Sequence, residues 1–375
     1  MALKLLEHSD IAAARAPLSS AFTLPPQAYT DASIFEAERR HIFHRDWVCV
    51  ARVDQVPAPG DYICVEVTGQ PLVIARLRDG TLHAMSSVCL HRAMPVVEGQ
   101  GNASSFSCPY HLWKYDLDGR LISAPMMEGA EHFPPPDCRL PAVALECWQG
   151  FIFVNLDPDA SPLSPSLAGL DDIVANYRLD ELVVAATTTY ESPWNWKLLI
   201  ENFMEAYHHI GPHRDTFQPV YPAKDARVVA AEAGHRWSAL EMPSPHPADD
   251  DGMPAFPDLE PHQAHLLTAC VVSPNLIFAT SNNLVAWYEV IPRAVDDMRL
   301  RIHVLLRPEV AALDEIQASI PALIDGVRFI HDEDIPVNEG PWRGVNAPLT
   351  RAGRLSLHEA AIWHLNQYWM DRLGL

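Results

Sequence analysis

The chain has 375 residues, of which 48% are hydrophobic and 20% charged, and this length and composition are typical of a globular protein with two domains. Its net charge of −21 argues against a nucleic-acid partner, because the phosphates of DNA or RNA would be repelled. No apolar run reaches the ~18 residues that a membrane-spanning helix needs, and Met1–Ala16 lacks the pattern of a secretory signal. We therefore expect a cytoplasmic protein with neither a membrane nor a nucleic-acid partner.

The first predicted elements in the chain are short β-strands. Tyr62–Val67 and Leu72–Ala75 are rich in β-branched and apolar residues, and turn-forming residues lie between them. A strand pair flanks the Asp118-Gly119 turn, and Gly150–Asn155 predicts a further buried strand. Together these segments predict a small all-β domain.

The domain boundaries follow from a change of pattern along the chain. The all-β domain is expected over residues 40–156, and residues 1–39 are expected to pack with a second domain, residues 157–375. The second domain begins with a linker rich in Pro and Ser. Met242–His262, rich in Pro and Asp, is expected to be a loop, either a lid over a pocket or a solvated excursion.

The second domain is predicted to mix helices and strands. Strand-like runs occur at Val183–Tyr190 and Leu266–Leu306. Helical patterns occur at Leu198–His209, Ala311–Phe329 and Leu357–Leu373. Strands that gather before and between a few long helices predict an antiparallel sheet in an α+β fold.

Two short loops, Cys89–His91 and Cys108–His111, each carry one cysteine and one histidine. Two thiolates and two imidazoles suit a [2Fe-2S] cluster, in which one iron takes both Cys and the other both His. They also suit structural zinc, but a zinc finger usually groups a Cys pair followed by a His pair. The pattern therefore favours the cluster, with zinc as the alternative. The remaining cysteines have no paired spacing and are expected to be reduced.

A second set of ligand-type residues occurs in the second domain. On a helix, Glu201, Glu205 and His208 would lie on one face. A Gly-Pro pair would then end the helix and return His213 toward His208. Two neutral imidazoles this close suit Fe(II), Zn(II) or another divalent ion. The alternative is a solvent-exposed helix face with incidental histidines.

Both motifs resemble those of the Rieske non-heme iron oxygenases. In that family the cluster loops run Cys-x-His-Arg-Gly and Cys-Pro-x-His-x-Trp, and the catalytic signature runs Asn-x-x-Glu-x-Tyr-His-x-x-x-x-His. The order of the motifs, the linker and the length all match, so the resemblance covers nearly the whole chain. Two positions depart from the pattern, because Ala93 and Leu112 stand where Gly is usual.

The resemblance implies a small all-β Rieske [2Fe-2S] domain joined to a catalytic domain with an antiparallel-sheet, helix-grip fold. It also implies that His208, His213 and a downstream carboxylate hold a mononuclear Fe(II) ion. The family pattern selects Asp334 among the acids of His331–Glu339, and Asp332 is the alternative. Two His and one carboxylate on one side of the iron leave positions for O2 and substrate.

The resemblance assigns further roles to residues near the iron. Glu205 would hydrogen-bond both His208 and the partner subunit's His111, and would so bridge the two metal centres for electron transfer in a head-to-tail homotrimer. Electron transfer between the two metal centres of one chain is not expected, because the resemblance implies that these centres lie too far apart. Asn202 and Tyr207 are expected to line the site.

The function that the resemblance implies is the terminal oxygenase of a multicomponent system. A separate NAD(P)H reductase would deliver electrons to the cluster, directly or through a ferredoxin, and O2 would be the co-substrate. No G-x-G-x-x-G dinucleotide motif follows a strand here, which agrees with a separate reductase. The expected reaction is hydroxylation or oxidative demethylation of a small, aromatic organic substrate.

Two alternatives to this function remain open. Oxygenases of carnitine and related quaternary amines are similar in their single-chain format and in having Glu205 rather than Asp. A quaternary amine would require an aromatic cage, for which Trp237, Trp287 and Tyr288 are candidates. A protein of another class, a Rieske electron-transfer protein with an appended binding domain, would hold no catalytic iron.

Overall fold

The computed structural model describes residues 6–230, 235–246 and 252–375. The chain forms two compact units, a smaller one of Phe43–Ser161 and a larger one of Met1–Ile42 with Pro162–Leu375. The predicted α+β class is confirmed, because the paired strands are antiparallel in both units and the long helices belong to the larger one. No helix of the described ranges is long and apolar enough to cross a bilayer.

Short strands dominate the smaller unit. In chain order they are β1 (Val48–Arg52), β2 (Asp61–Val67), β3 (Gln70–Arg76), β4 (Leu82–Ser86), β5 (Gln100–Asn102), β6 (Phe106–Ser107), β7 (Lys114–Tyr115), β8 (Leu121–Ser123), β9 (Ala142–Trp148) and β10 (Phe151–Asn155). Seven of them form an antiparallel sheet in the order β1-β10-β9-β4-β3-β2-β5, and β6-β7-β8 form a second sheet. The predicted strands thus appear as β2, β3 and β10.

The second sheet of the smaller unit depends on a tight turn at Gly119. The φ of this residue is +84°, and a Cβ atom there would lie 2.8 Å from the Sδ atom of Met85. Glycine is therefore required both by the left-handed backbone and by the close approach. On β7, Tyr115 pairs with Phe106 and is fully buried, so the hairpin after the second Cys/His loop is held in the core.

The larger unit is built on a seven-stranded antiparallel sheet with helices. Its strands are β11 (Val183–Ser192), β12 (Arg227–Ala230), β13 (Trp237–Pro243), β14 (Leu266–Val272), β15 (Leu276–Thr280), β16 (Val285–Ala294) and β17 (Asp297–Leu306), in the order β11-β17-β16-β15-β14-β13-β12. Its helices are α1 (His8–Arg15), α2 (Gln27–Thr30), α3 (Ala32–Glu38), α4 (Leu170–Val174), α5 (Trp196–Phe203), α6 (Phe217–Val220), α7 (Pro308–Ala311), α8 (Asp314–Val345) and α9 (Ala360–Leu373).

The two faces of this sheet differ in what they contact. Phe278 and Trp287 are cross-strand partners on β15 and β16, and both are fully buried. Their neighbours Ala279 and Ala286 are also cross-strand partners but remain partly exposed, because they line a cavity on the opposite face. Period-two alternation along the strands thus separates a packed face from a face with a cavity.

Two helices differ from their predicted bounds. The pattern at Leu198–His209 predicted a longer helix than α5, which ends at Phe203, so Glu205 and His208 lie beyond it. The prediction that Glu201, Glu205 and His208 share one helical face is therefore wrong. The side chain of Glu205 explains why α5 ends early. Its carboxylate accepts the backbone N–H of His208 and so competes with the backbone hydrogen bonds of a longer helix.

Helix α8 extends well past the predicted Ala311–Phe329. It runs through Pro336 and Pro341, residues that would normally end a helix. The helix packs against α5 and β11, and this tertiary packing overrides the local preference. Its extension carries the acidic segment that contains Asp334 into the site.

The N-terminal helices belong to the larger unit and are joined to it by a buried polar network. Glu38 on α3 is fully buried and accepts hydrogen bonds from the Nε1 atoms of Trp196 (2.9 Å) and Trp369 (2.6 Å). The same carboxylate forms an ion pair with the buried Nζ of Lys197. This network links α3, α5 and α9.

The segment Met242–His262 begins at the end of β13. Residues 247–251 lie outside the described residues. The prediction that this segment is either a lid or a solvated loop concerns these residues. Met242 lines the cavity, and Met253 packs beside the buried cluster that contains Val304.

Candidate metal centres and cavity

The two Cys/His loops of the smaller unit have the same local design. The backbone N–H of Ala93 donates to the carbonyl of Cys89 at 3.1 Å, and that of Leu112 donates to the carbonyl of Cys108 at 3.0 Å. Each bond closes a tight loop of five residues that begins at the cysteine. Both cysteine side chains are buried, with 3% and 1% of their surface exposed.

The histidines of these loops converge on the outer side of the cysteines. The Nδ1 atoms of His91 and His111 lie 3.1 Å apart, and the His91 ring stacks on Trp113 at 4.9 Å. Buried thiols and exposed imidazoles fit a cluster with a Cys-bound inner iron and a His-bound outer iron.

A single zinc ion fits these loops less well. Bond lengths of ~2.0–2.3 Å require the ligand atoms of a tetrahedral zinc site to lie within about 4 Å of one another. In the described part of the chain, no three donors of the Cys89–His91 and Cys108–His111 loops all come within 4.8 Å of one another. These donors therefore do not come close enough together to share one zinc ion.

Ala93 and Leu112 adopt the left-handed backbone conformation, with φ of 54° and 60°. Glycine takes this conformation without strain, whereas a residue with a side chain does so at a cost. The two departures from the family pattern are therefore two strained positions. Leu112 is also 63% exposed, so an apolar side chain faces solvent beside the cluster loops.

In the larger unit, His208, His213 and Asp334 place their donor atoms within 4.8 Å of one another. The Nε2 atom of His213 lies 2.9 Å and that of His208 3.6 Å from Oδ1 of Asp334. The two imidazole rings are 5.0 Å apart, because the chain turns back after His208 as the sequence predicted. Two imidazoles and one carboxylate on one side of a common point form a facial set suited to Fe(II).

A glutamate holds each imidazole of this triad from outside. His208 Nδ1 donates to Oε1 of Glu205 at 2.5 Å. His213 Nδ1 donates to Oε2 of Glu333 at 2.7 Å, and the same oxygen accepts the Thr216 hydroxyl at 2.7 Å. Such bonds at Nδ1 fix the ring orientation and leave Nε2 as the metal-facing atom.

The sequence pattern identified one of these two glutamates and missed the other. The family motif assigns Glu205, whereas the sequence offers Glu333 only as one of several acids in His331–Glu339. The available signal was its position directly before Asp334 on the same helix. Thr216, three residues after His213, was also missed.

The electrostatic setting of the triad favours a bound cation. Burial opposes protonation of His213, but the hydrogen bonds and charges of Asp334 and Glu333 outweigh it and raise its pKa. The neighbouring His209 is buried, its Nδ1 donates to the carbonyl of Tyr221 at 3.0 Å, and burial lowers its pKa to about 4. His209 therefore stays neutral and packs beside the triad.

The remaining predicted residues lie in different surroundings. Asp332 is exposed and accepts the hydroxyl of Tyr190 at 3.1 Å, away from the triad. Tyr207 is 48% exposed and its ring lies 6.3 Å from that of His358, so it does not line the cavity. Asn202 does line the cavity.

A cavity of about 350 Å³ adjoins the triad. Its sheet wall consists of Met242, Leu267, Ala269, Ala279, Ser281, Leu284, Ala286 and Tyr288. Its α8 wall consists of Ala322, Leu323, Gly326, Val327, Ile330 and Asp334. Among the described lining residues none is Lys or Arg, and the wall beyond the triad is almost entirely apolar.

Of the three candidates for an aromatic cage, one lines this cavity. Tyr288 does so, and burial raises its pKa. Trp237 donates from Nε1 to the carbonyl of Ala168 at 3.0 Å, and Trp287 stacks on His303 at 4.3 Å. The two tryptophans are thus core residues outside the cavity.

Two family models match the chain. Residues 179–375 match the ring hydroxylating alpha subunit (catalytic domain), and residues 46–134 match the Rieske [2Fe-2S] domain. The first match covers more than half of the chain and contains the triad. The second contains both Cys/His loops.

A curated oxygenase subunit is similar to about half of this chain. The carnitine monooxygenase oxygenase subunit of Escherichia coli (strain K12) is 37% identical over 200 residues, which are 52% of this chain and 53% of that protein. The chain thus spans about half the length of the curated relatives that it matches.

Solved structures match over almost the full chain. A quaternary ammonium Rieske monooxygenase in complex with L-carnitine has a TM-score of 0.81 at 24% identity, covering 98% of this chain and 99% of its own. The naphthalene 1,2-dioxygenase from Rhodococcus sp. bound to indole also has a TM-score of 0.81, at 21% identity, covering 97% of both chains. Because the two scores are equal, the fold does not distinguish between their ligands.

Proposed function

Because the chain belongs to the family of ring-hydroxylating alpha subunits and carries a Rieske [2Fe-2S] domain, we propose that it is the terminal oxygenase of a multicomponent system. This membership confirms the resemblance predicted from the two motifs. In this proposal O2 oxidises a small organic molecule, and a separate NAD(P)H reductase supplies the further electrons that the reduction of O2 requires. The observation that carries the proposal is the triad of His208, His213 and Asp334 beside an apolar cavity.

The residues of the triad fit a mononuclear Fe(II) ion. When bound, Fe(II) supplies the redox chemistry that lets O2 react with an organic substrate. His208, His213 and Asp334 would hold it from one side, and the exposed orientation of Asp332 toward Tyr190 supports Asp334 as the carboxylate ligand. The apolar wall excludes water from the space where substrate would lie.

The four residues of the Cys/His loops are the proposed ligands of the cluster. Cys89 and Cys108 would hold the inner iron, and His91 and His111 the outer one. Two neutral imidazoles in place of thiolates raise the potential of such a cluster to roughly −150 to +300 mV. The exposed position of the histidines suits electron transfer to and from partners.

We further propose a homotrimer in which Glu205 bridges His208 and the partner subunit's His111. Two exposed apolar surfaces support this arrangement. Tyr207 (48% exposed) and Ile210 (56% exposed) flank His208 on one, and Leu112 (63% exposed) belongs to the other. Burying such apolar side chains in a contact between subunits would be favourable.

The electron donor is proposed to be a separate reductase, acting directly or through a ferredoxin. A cytoplasmic location is part of the same proposal. It is supported by the seven cysteines, which form no disulfide and match a reducing compartment.

The composition of the cavity supports a small apolar substrate. A carboxylate such as that of carnitine requires a basic or hydrogen-bonding partner when buried. Among the described lining residues there is no Lys or Arg, and beyond the triad the polar side chains are few. An aromatic compound that is hydroxylated or oxidatively demethylated fits this lining best.

A quaternary amine is the second candidate substrate. The specific observation in its favour is the 37% identity to a carnitine monooxygenase oxygenase subunit. The aromatic Tyr288, with Phe203 and Phe217, would then contact the cation. Binding of L-carnitine in preference to indole by the purified protein would favour this candidate.

The proposed function is tested first by counting iron. The wild-type protein is expected to hold about three irons per chain, two in the cluster and one at the triad. His213→Ala and Asp334→Asn should each reduce this to about two without changing the visible absorbance of the cluster, and Asp332→Asn should retain all three. A wild-type protein with only the cluster irons would favour the electron-transfer alternative.

A further inference from the structure

The sheet wall of the cavity contains a row of three alanines. Ala269, Ala279 and Ala286 are direct cross-strand partners on β14, β15 and β16, so their methyl groups lie side by side on one face. Ala279 and Ala286 stay partly exposed within an otherwise buried part of the sheet. The row therefore borders open space rather than a packed neighbour.

The position of the row along the cavity follows from strand register. Residues two apart on a strand share a face and are separated by about 7 Å. Tyr288 lies two residues beyond Ala286, on the side of the triad, since its ring centroid lies 6.3 Å from that of His331, three residues before Asp334 on α8. On the other side, Leu267 lies two residues before Ala269 and pairs with Met242. The cavity thus runs from the triad past Tyr288 and over the alanine row.

Helix α8 provides the facing wall. Ile330, Gly326 and Ala322 precede Asp334 at intervals of four residues and therefore share its side of the helix. Gly326 is eight residues from Asp334, about 12 Å along the helix axis. A Cβ atom at Gly326 would meet no other atom within 4 Å, so a larger side chain would have room. Glycine is unfavourable inside a helix, so it brings no benefit to the helix itself.

We propose that the alanine row and Gly326 determine the size of the substrate, by keeping open a slot for a flat, neutral molecule of two or more fused rings. The inference rests on the proposed function and narrows its substrate class. Methyl groups on one wall and a hydrogen atom on the other leave a gap that the two faces of a ring system can fill. The volume of about 350 Å³ lies within the range of small-molecule sites.

The test is ligand binding with probes of increasing size. Benzene, naphthalene and phenanthrene are titrated into intact protein that holds both metal centres, without O2 so that no turnover occurs. The variants are Ala279→Leu and Gly326→Leu. The matched control is Gly344→Leu, on the same helix, where a Cβ atom also meets nothing within 4 Å but which does not line this cavity.

If the slot exists, the two cavity variants should lose affinity mainly for the largest probe. In Ala279→Leu and Gly326→Leu the Kd for phenanthrene should rise about tenfold or more, while that for benzene changes less than about threefold. Gly344→Leu should bind all probes like the wild type. If Ala279→Leu does not fold, the test rests on Gly326→Leu alone. That variant is expected to fold, because a Cβ atom at Gly326 meets no other atom within 4 Å.

Three results would overturn the inference, and they are distinguishable. Unchanged phenanthrene binding in both cavity variants would refute the slot alone. An equal loss in Gly344→Leu would assign the effect to the helix rather than to the cavity. A wild-type protein that binds none of the probes would contradict the apolar substrate class of the proposed function, and the slot with it.

Discussion

Each imidazole of the triad depends on a carboxylate that does not itself face the metal position. Glu205 binds both Nδ1 and the backbone N–H of His208, whereas Glu333 binds Nδ1 of His213 and is itself positioned by Thr216. The negative charge behind each ring increases the basicity of Nε2. At the residue scale, metal affinity is therefore shared between ligands and the glutamates behind them.

Glu333→Gln should weaken iron binding at the triad by about tenfold to hundredfold and leave the cluster intact. The amide can still accept the His213 N–H, so the change removes mainly charge. Competition with a chelator, followed by iron analysis, measures the effect. Glu339→Gln is the control, because this half-buried residue of the same helix pairs with Arg343 at 3.6 Å. Equal iron retention in the two variants would refute the role of Glu333.

The strained positions beside the cluster give a second prediction. Ala93→Gly and Leu112→Gly should each stabilise the smaller unit by about 0.5–1 kcal/mol, because glycine adopts positive φ without strain. The temperature at which the cluster absorbance is lost should rise accordingly. Ala103→Gly, at a position without positive φ, should lower that temperature. A fall in all three variants would show that φ is not the cause.

Helix α5 shows at the element scale why local pattern was insufficient. Apolar and acidic residues continue past Phe203 with a helical period, yet the helix ends there and a 3-10 turn presents His208. The decisive contact, from the Glu205 carboxylate to the His208 N–H, is a side-chain bond that periodicity does not encode. In α8 the converse holds, because packing preserves a helix that Pro336 would be expected to end.

Within α5, Glu201 makes stability depend on pH. Burial raises its pKa to about 7, against the hydrogen bond from Tyr29 (2.8 Å) and the charge of Lys197, which lower it. The folded state then holds a proton that the unfolded state releases above its ordinary pKa of 4.5. The contribution of Glu201 to the free energy of unfolding should therefore be largest below pH 4.5. This contribution should be lost as the pH rises to about 7.

Glu201→Gln should flatten this part of the pH dependence between pH 5 and pH 7. Denaturant unfolding of the larger unit, followed by tryptophan fluorescence, measures it at several pH values. Glu36→Gln is the control, because the hydrogen bond from Arg39 lowers the pKa of Glu36 to about 2 and neither state titrates in that window. An unchanged slope in Glu201→Gln would contradict the assignment.

At the scale of the whole molecule, the sequence predicted what is local or shared by a family. The cluster ligands lie within two short loops, and His208 and His213 are near neighbours in the chain. Asp334, 121 residues from His213, was selected by the family pattern rather than by spacing. The alanine row could not be predicted from the sequence, because it is formed only by the register of three strands. The position of Glu333 could not be predicted either, because it depends on how α8 packs.

The central claim is that the smaller unit supplies electrons for oxygen chemistry at the triad of the larger unit. The most direct measurement is the incorporation of ¹⁸O from ¹⁸O2 into product, with a surrogate reductase and a panel of neutral aromatic compounds and L-carnitine. The account predicts labelled product from the wild type and none from His213→Ala, although the cluster of that variant is still reduced. Labelled product from His213→Ala at the wild-type level, or a wild-type product labelled only from water, would contradict it.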